Sequence, residues 1–170
     1  MVSSNKTNQN LNETQKLNMK RLNKESLELL KSINSSVFTI KYEDSFYERI
    51  FSSENKYAFL FVDQDTIGTV SFSIDSCDVY IFTFGILPKY RNQGYGSKCW
   101  KELEFNLKNE LDCKRIYLNV QTSNSRAIEF YLNKGFKIMS TISDYYIDTF
   151  PSSAYFMKKE INCDGIYLSG

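Results

Sequence analysis

The run Arg91-Asn92-Gln93-Gly94-Tyr95-Gly96-Ser97 constrains this chain more than any other stretch. It follows an apolar, aromatic segment from Tyr80 to Leu87 and opens an amphipathic one, which reads as strand, short glycine loop, helix. Glycines at such a junction let the main chain come close to a ligand, and the free N–H groups of a helix start point at whatever sits there. Those N–H groups favour anions, so a pyrophosphate is the natural guest. The spacing is Arg-x-x-Gly-x-Gly. It is neither the Gly-x-x-x-x-Gly-Lys-Ser/Thr of a nucleotide triphosphatase nor the Gly-x-Gly-x-x-Gly of a dinucleotide fold.

A chain of 170 residues can build one domain with a proper core. Its 21 basic and 20 acidic residues are mixed along the sequence, unlike the basic face that duplex nucleic acid requires. Cys77, Cys99, Cys113 and Cys163 are scattered, without zinc spacing or a disulfide framework, and read as free thiols. No apolar segment is long enough to span a bilayer and no signal-peptide core is visible, so a soluble, cytoplasmic or nucleocytoplasmic protein is expected. Histidine is absent. An imidazole base, a histidine metal ligand and a serine–histidine pair are thereby excluded, and no metal site is expected.

Residues 1–14 are polar and read as a flexible tail, 15–160 as one domain and 161–170 as a C-terminal tail. A first strand is expected from Leu17 to Leu22, then a helix capped by Asn23 that presents Leu27, Leu30 and Ile33 on one face. The segment from Val37 to Tyr42 reads as an apolar loop, and Ser45 to Phe51 as a short helix. Strands Tyr57–Val62 and Thr66–Ile74 flank the turn-forming Asp63-Gln64-Asp65, and a third strand runs from Val79 to Leu87. Gly85 inside that strand marks either a bulge or a close backbone approach. The helix after Gly96 carries Trp100, Leu103 and Leu107 on one face; a strand over Ile116–Val120 and a helix from Asn124 to Gly135 follow. Strands from Phe136 to Tyr145 and Ala154 to Lys159 end the domain. The order β-α-α-β-β-β-α-β-α-β-β predicts a mixed sheet, antiparallel early and parallel across the glycine-loop helix.

The stretch from Asn119 to Phe136, NVQTSNSRAIEFYLNKGF, together with the Arg-x-x-Gly-x-Gly loop, resembles the signature of the GNAT superfamily of N-acetyltransferases. That resemblance implies an α/β (α+β) fold with a mixed sheet of about seven strands flanked by about four helices, and acetyl-CoA as the cofactor. It implies that the loop amides of Arg91, Asn92, Gln93, Gly94, Tyr95, Gly96 and Ser97 hold the pyrophosphate. The pantetheine arm would run past Phe84, Ile86 and Leu87 into a gap between two splayed strands, in contact with Asn124 and Tyr131.

Over residues 17–160 the motifs VFTIKY (37–42), YIFTFG (80–85), IYLNVQ (116–121) and DYY (144–146) are similar to the San-type N-terminal acetyltransferases, whose activity belongs to the NatE type. The resemblance implies acetylation of the α-amino group of chains that begin with Met and an apolar residue, and NatA-like auxiliary and catalytic subunits as partners. It places Phe38, Thr39, Ile40 and Tyr146 around the first substrate side chain, Tyr42 and Tyr145 on the peptide backbone, and Phe82 against the substrate. Tyr80 would hold a water near the amine, and Tyr131 would serve the departing sulfur. Two positions depart from the pattern: Thr39 replaces a proline, and Asn119 stands where the catalytic histidine is expected. Asparagine orients a water but takes no proton at neutral pH.

Read without the resemblance, Tyr131, Tyr145, Tyr146, Phe38 and Ile40 fit ordinary packing, and Arg91 fits a surface ion pair. Two further readings stand beside the peptide enzyme. One is an acetyl-CoA-binding subunit with weak catalysis, which the missing histidine favours; the other is a lysine or small-amine acetyltransferase, where lysine work calls for a carboxylate or other base near the cleft.

Overall fold

The computed structural model describes residues 17–147 and 149–161. Both expected tails lie almost wholly outside the described residues. Among the described residues, seven strands form one sheet in the order β1-β2-β3-β4-β5-β7-β6. They are β1 (Asn18–Arg21), β2 (Lys56–Asp63), β3 (Asp65–Asp75), β4 (Asp78–Ile86), β5 (Arg115–Gln121), β6 (Lys137–Ile142) and β7 (Ala154–Glu160). The helices are α1 (Leu27–Val37), α2 (Asp44–Ser52), α3 (Tyr95–Asn109) and α4 (Ser125–Asn133). Asn23 caps a 3-10 turn, Lys24–Ser26, rather than α1 itself, and its side-chain oxygen accepts from the Ser26 hydroxyl at 3.0 Å. The strand expected to reach Tyr145 stops at Ile142, which leaves Tyr145 and Tyr146 in the loop before β7.

Alternation along the strands separates two cores. Ala58 and Leu60 of β2 join Leu30 and Ile33 of α1 and Tyr47 and Ile50 of α2 on one face. Phe61, Val70, Val79, Ile116 and Leu118 join Trp100, Leu103 and Leu107 of α3 on the other.

Strand β4 carries an irregularity that shapes everything downstream. Ser71 pairs with Thr83 and Phe72 with Ile81, so Phe82 is an extra residue with no opposite number on β3. Strict alternation would put Phe82 and Phe84 on one face. Instead Phe82 lies against Phe46 of α2 and Phe84 against Trp100 of α3, on opposite faces. The bulge is therefore at Phe82 and not at Gly85. Gly85 stays in register opposite Thr69, and the second of its two expected roles holds: a Cβ there would lie 2.1 Å from Val37 Cγ1 and 2.8 Å from Phe38 Cζ. Only glycine lets the end of α1 come down onto the sheet at this point.

Parallel pairing of β4 with β5 runs from Asp78–Arg115 to Ile81–Leu118 and ends where the bulge begins. A bulge increases local twist and bends the strand that carries it. Past Ile81, β4 thus turns away from β5, while β5 keeps pairing with β7 as far as Gln121–Ala154.

Candidate active site

The parting of β4 and β5 opens a cleft of about 440 Å³. Its walls come from the β4 end (Phe84, Gly85, Ile86), the β5 end (Asn119, Val120, Gln121), the α1–α2 connection (Val37–Ile40) and the start of α4. Beneath it lie Gly96, Phe130 and Tyr131, with Tyr146 from the β6–β7 loop.

On the α3 side, Gly94 precedes the helix at φ +79°, a left-handed conformation that turns the chain into α3 with the first-turn N–H groups uncapped. A Cβ at Gly94 would meet nothing within 4 Å, and at Gly96 nothing closer than Phe130 at 3.6 Å. The amides there are thus reachable from outside. Asn124 caps α4: its Oδ1 accepts from the Ala127 N–H at 3.1 Å. Two cations absent from the sequence-based set, Arg126 on α4 and Lys134 just after it, converge on the same stretch. Arg126 donates to the Asn92 side-chain oxygen, and Lys134 donates to Ser97 Oγ at 3.0 Å. Only their place inside the motif, flanking Phe130 and Tyr131, pointed at them.

Other residues of the loop turn elsewhere. Gln93 donates to the Lys89 carbonyl at 2.7 Å, and Tyr95 packs against Tyr90. Leu87 packs with the α1–α2 core and is not part of the cleft wall. Arg91 lines the cleft, and in place of a surface acid it meets two carbonyls, Ile86 O at 2.9 Å and Val37 O at 2.8 Å.

On the α2 side, Asn119 Nδ2 donates to Tyr80 Oη at 2.7 Å, and that hydroxyl shares a second hydrogen bond with Tyr145 Oη at 3.2 Å. Asn119 Oδ1 is buried and, among the described residues, has no hydrogen-bond partner. Phe82 lies 5.5 Å from Tyr80, ring to ring, and Phe46 bridges Phe82 to Tyr42, which it stacks upon at 4.5 Å. Phe46 and Phe130 are aromatic residues absent from the sequence-based set; Phe46 sits on a short helix whose buried face gave no hint of a ligand. Gln121, on the same face of β5 as Asn119, donates to Pro151 O at 2.8 Å and to Thr149 Oγ1 at 3.3 Å. It thereby ties the loop bearing Tyr145 and Tyr146 to the sheet.

Burial pushes the pKa of Tyr42, Tyr80, Tyr131 and Tyr146 upward. It is the main cause at Tyr80, where the Tyr145 hydroxyl adds to it, and at Tyr42 and Tyr131. Burial, then Tyr145, pushes Tyr146 up to about 12. These hydroxyls are protonated donors at neutral pH. No carboxylate is among the described residues that line the cleft.

A family model described as the acetyltransferase (GNAT) family matches residues 24–136. The chain belongs to this family. It is an N-acetyltransferase, with acetyl-CoA as its cofactor. Over 140 residues it is 29% identical to the probable N-acetyltransferase san of Drosophila melanogaster, covering 80% of this chain and 76% of that one. Identity to N-alpha-acetyltransferase 50 of Danio rerio is also 29% over 140 residues, covering 80% and 83%. Among solved structures, Arabidopsis thaliana Naa50 in complex with the bisubstrate analogue CoA-Ac-MVNAL matches with a TM-score of 0.69 at 30% identity, covering 86% of this chain and 99% of that chain. The ribosomal-protein-S18-alanine N-acetyltransferase of Escherichia coli shares the fold, with a TM-score of 0.76 at 19% identity over 91% and 99%.

The chain's own residues suit the cofactor. A cleft between the parted ends of β4 and β5, helix-start amides without a side-chain cap beside a left-handed glycine, and a β4 edge that no longer pairs with β5 past Ile81 fit a long arm with a diphosphate at one end.

Proposed function

We propose that this enzyme acetylates the α-amino group of polypeptides that begin with Met. The observation that carries this reading is Asn119 Oδ1, a buried acceptor without a partner among the described residues, beside the Tyr80 hydroxyl. A buried acceptor of this kind awaits a donor. An amine N–H, or a water that relays its proton, supplies one.

Main-chain amides of Asn92 to Ser97 and the side chains of Asn124 and Arg126 would hold acetyl-CoA, which would supply the thioester carbonyl. The other tasks belong to the protein. Phe38, Ile40 and Tyr146 provide an apolar seat for the first side chain, and Tyr42 and Tyr145 provide hydroxyls for the peptide backbone. The free edge of β4 past Ile81 offers N–H groups to a developing oxyanion. Tyr131, protonated because it is buried, offers a hydrogen bond to the departing thiolate. Proton removal falls to water held by Tyr80 and Asn119, since neither is a base at neutral pH.

That division of labour selects the acceptor. A positioned base is worth about 10²–10⁴-fold. An α-amine with pKa ~7.7–8.0 is neutral about a quarter of the time near pH 7.4, whereas a lysine at ~10.4 is neutral about once in a thousand. Without a carboxylate or imidazole in the cleft, the lysine reading is disfavoured by about 3 kcal/mol relative to the α-amine. The α-amine loses little. Partnership with NatA-like subunits and a cytoplasmic location belong to the same reading.

The test is an acetylation assay on peptides beginning Met-Leu or Met-Val, against N-terminally blocked peptides with one free lysine. Turnover on the first set is expected. Turnover confined to lysine would overturn the reading, and tight acetyl-CoA binding with no turnover on any peptide would favour a non-catalytic subunit.

A further inference from the structure

The segment Val37–Ile40 is a wall with space on both sides. It lines the cleft, and it also lines a second groove of about 670 Å³ behind it, formed with Lys31, Tyr42 and Tyr47. Side chains in a packed interior are held by their neighbours on every side. Besides the contacts of the Phe38 ring with Gly85 and Tyr42, this wall is held at its ends. At the far end Tyr42 is stacked on Phe46 at 4.5 Å. At the near end Phe38 N–H donates to Asn34 O at 2.8 Å, and the Val37 carbonyl, the last of α1, accepts from Arg91 at 2.8 Å.

Arg91 belongs to the glycine loop, 54 residues along the chain from Val37. Its other engaged nitrogen, Nε, donates to the Ile86 carbonyl at the end of β4. A rigid guanidinium plane with donors at fixed angles thus sets the distance between the β4 end and the wall. Val37 Cγ1 rests over Gly85 on the same strand, so contact and hydrogen bond locate the same point twice.

We infer that Arg91 is a positioning residue for the acceptor pocket: it joins the cofactor loop to the wall that receives the acceptor's first side chain. The inference rests on the peptide reading above for its kinetic arm alone. Loss of this clamp lets the wall retreat into the groove behind it, which weakens acceptor binding and relaxes selection for the first side chain.

The test uses the full chain with Arg91→Ala and Arg91→Lys. Hydrogen exchange at the amides of 38–42 is expected to speed up by about tenfold or more in Arg91→Ala, with β3 protection unchanged. The KM for a Met-Leu peptide is expected to rise by about tenfold, with coenzyme A affinity by calorimetry within about threefold of the parent. The ratio of kcat/KM for Met-Leu over a Phe-Leu peptide falls, and Arg91→Lys, which reaches one carbonyl at a time, recovers part of each effect. Coenzyme A affinity falling by about tenfold, with exchange at 38–42 and peptide KM unchanged, would make Arg91 a phosphate ligand and overturn the inference. If Arg91→Ala does not fold, Arg91→Lys decides by the same exchange measurement, where parent-like rates at 38–42 overturn it. If the parent acetylates no peptide, the functional reading fails, and exchange still decides the clamp.

Discussion

Asn119 donates its amide hydrogen to the Tyr80 hydroxyl across 2.7 Å, joining β5 to β4 at the point where their ladder ends. The bond orients both groups. It fixes which asparagine atom is left over, the Oδ1 acceptor, and it leaves the tyrosine hydroxyl shared with Tyr145.

Removing that hydroxyl removes the donor–acceptor pair at once. Tyr80→Phe is expected to lower kcat on a Met-Leu peptide by about 10²-fold, within the range lost with a proton-handling group, while coenzyme A binding holds. Asn119→His adds a base where the asparagine stands and is expected to raise kcat. Steady-state kinetics on both variants checks the pair; unchanged turnover in Tyr80→Phe would count against its role.

The pH–rate profile reads the acceptor rather than the enzyme. With no titrating base in the cleft, kcat/KM is expected to climb from pH 6.5 as an α-amine of pKa ~7.7–8.0 deprotonates and to level off above about pH 8.5. The phenols add no second limb there, since burial holds Tyr80, Tyr131 and Tyr146 protonated well above that range. A flat profile from pH 6.5 to 9 with chemistry rate-limiting would contradict this.

The same tyrosines set the alkaline limit of stability. Their ionisation is raised in the folded state, so the fold binds protons that the unfolded chain releases first. The contribution is intact below the ordinary tyrosine value of 10.0 and is lost as pH rises through about 12, the value for Tyr146. Chemical denaturation midpoints are expected to be level from neutrality to about pH 9.5 and to fall steeply above 10. A midpoint unchanged at pH 11.5 would refute it.

Gly85→Ala places a methyl group 2.1 Å from Val37 Cγ1, and Gly68→Ala places one 2.2 Å from the Gly85 carbonyl oxygen. Side-chain ends yield and main chain does not. Gly85→Ala is expected to cost about 1–3 kcal/mol as overpacking, and Gly68→Ala more. Thermal melts of the two variants check the order; Gly68→Ala as stable as the parent would refute it.

Gln121→Ala cuts both side-chain bonds that hold the Thr149–Pro151 stretch to β5. The expected result is a peptide KM raised about five- to thirtyfold with coenzyme A affinity retained, since two hydrogen bonds are worth about 1–2 kcal/mol net. Equal losses in both would show a role in cofactor binding instead.

Much of the fold was legible in the chain because it follows from local pattern. Period-two burial in Val79–Ile81 and Ile116–Val120, the helical stripe Trp100-Leu103-Leu107 and the Asn124 cap each concern residues within a turn or a strand of one another. The glycine loop was legible for the same reason, since a left-handed residue before a helix restricts the choice at that position.

The sequence by itself determined the order of elements, the family and which residue types could meet near a strand–helix junction. It also determined that no imidazole could serve as base. Tertiary structure alone decided that the extra residue of β4 is Phe82, because a bulge is a mismatch between two strands and exists only once β3 and β4 are in register. It likewise decided that Arg91 reaches Val37 and that Gln121 holds the β6–β7 loop. Those partners lie far along the chain, and a long side chain's choice among distant carbonyls is made by packing, which no local pattern encodes.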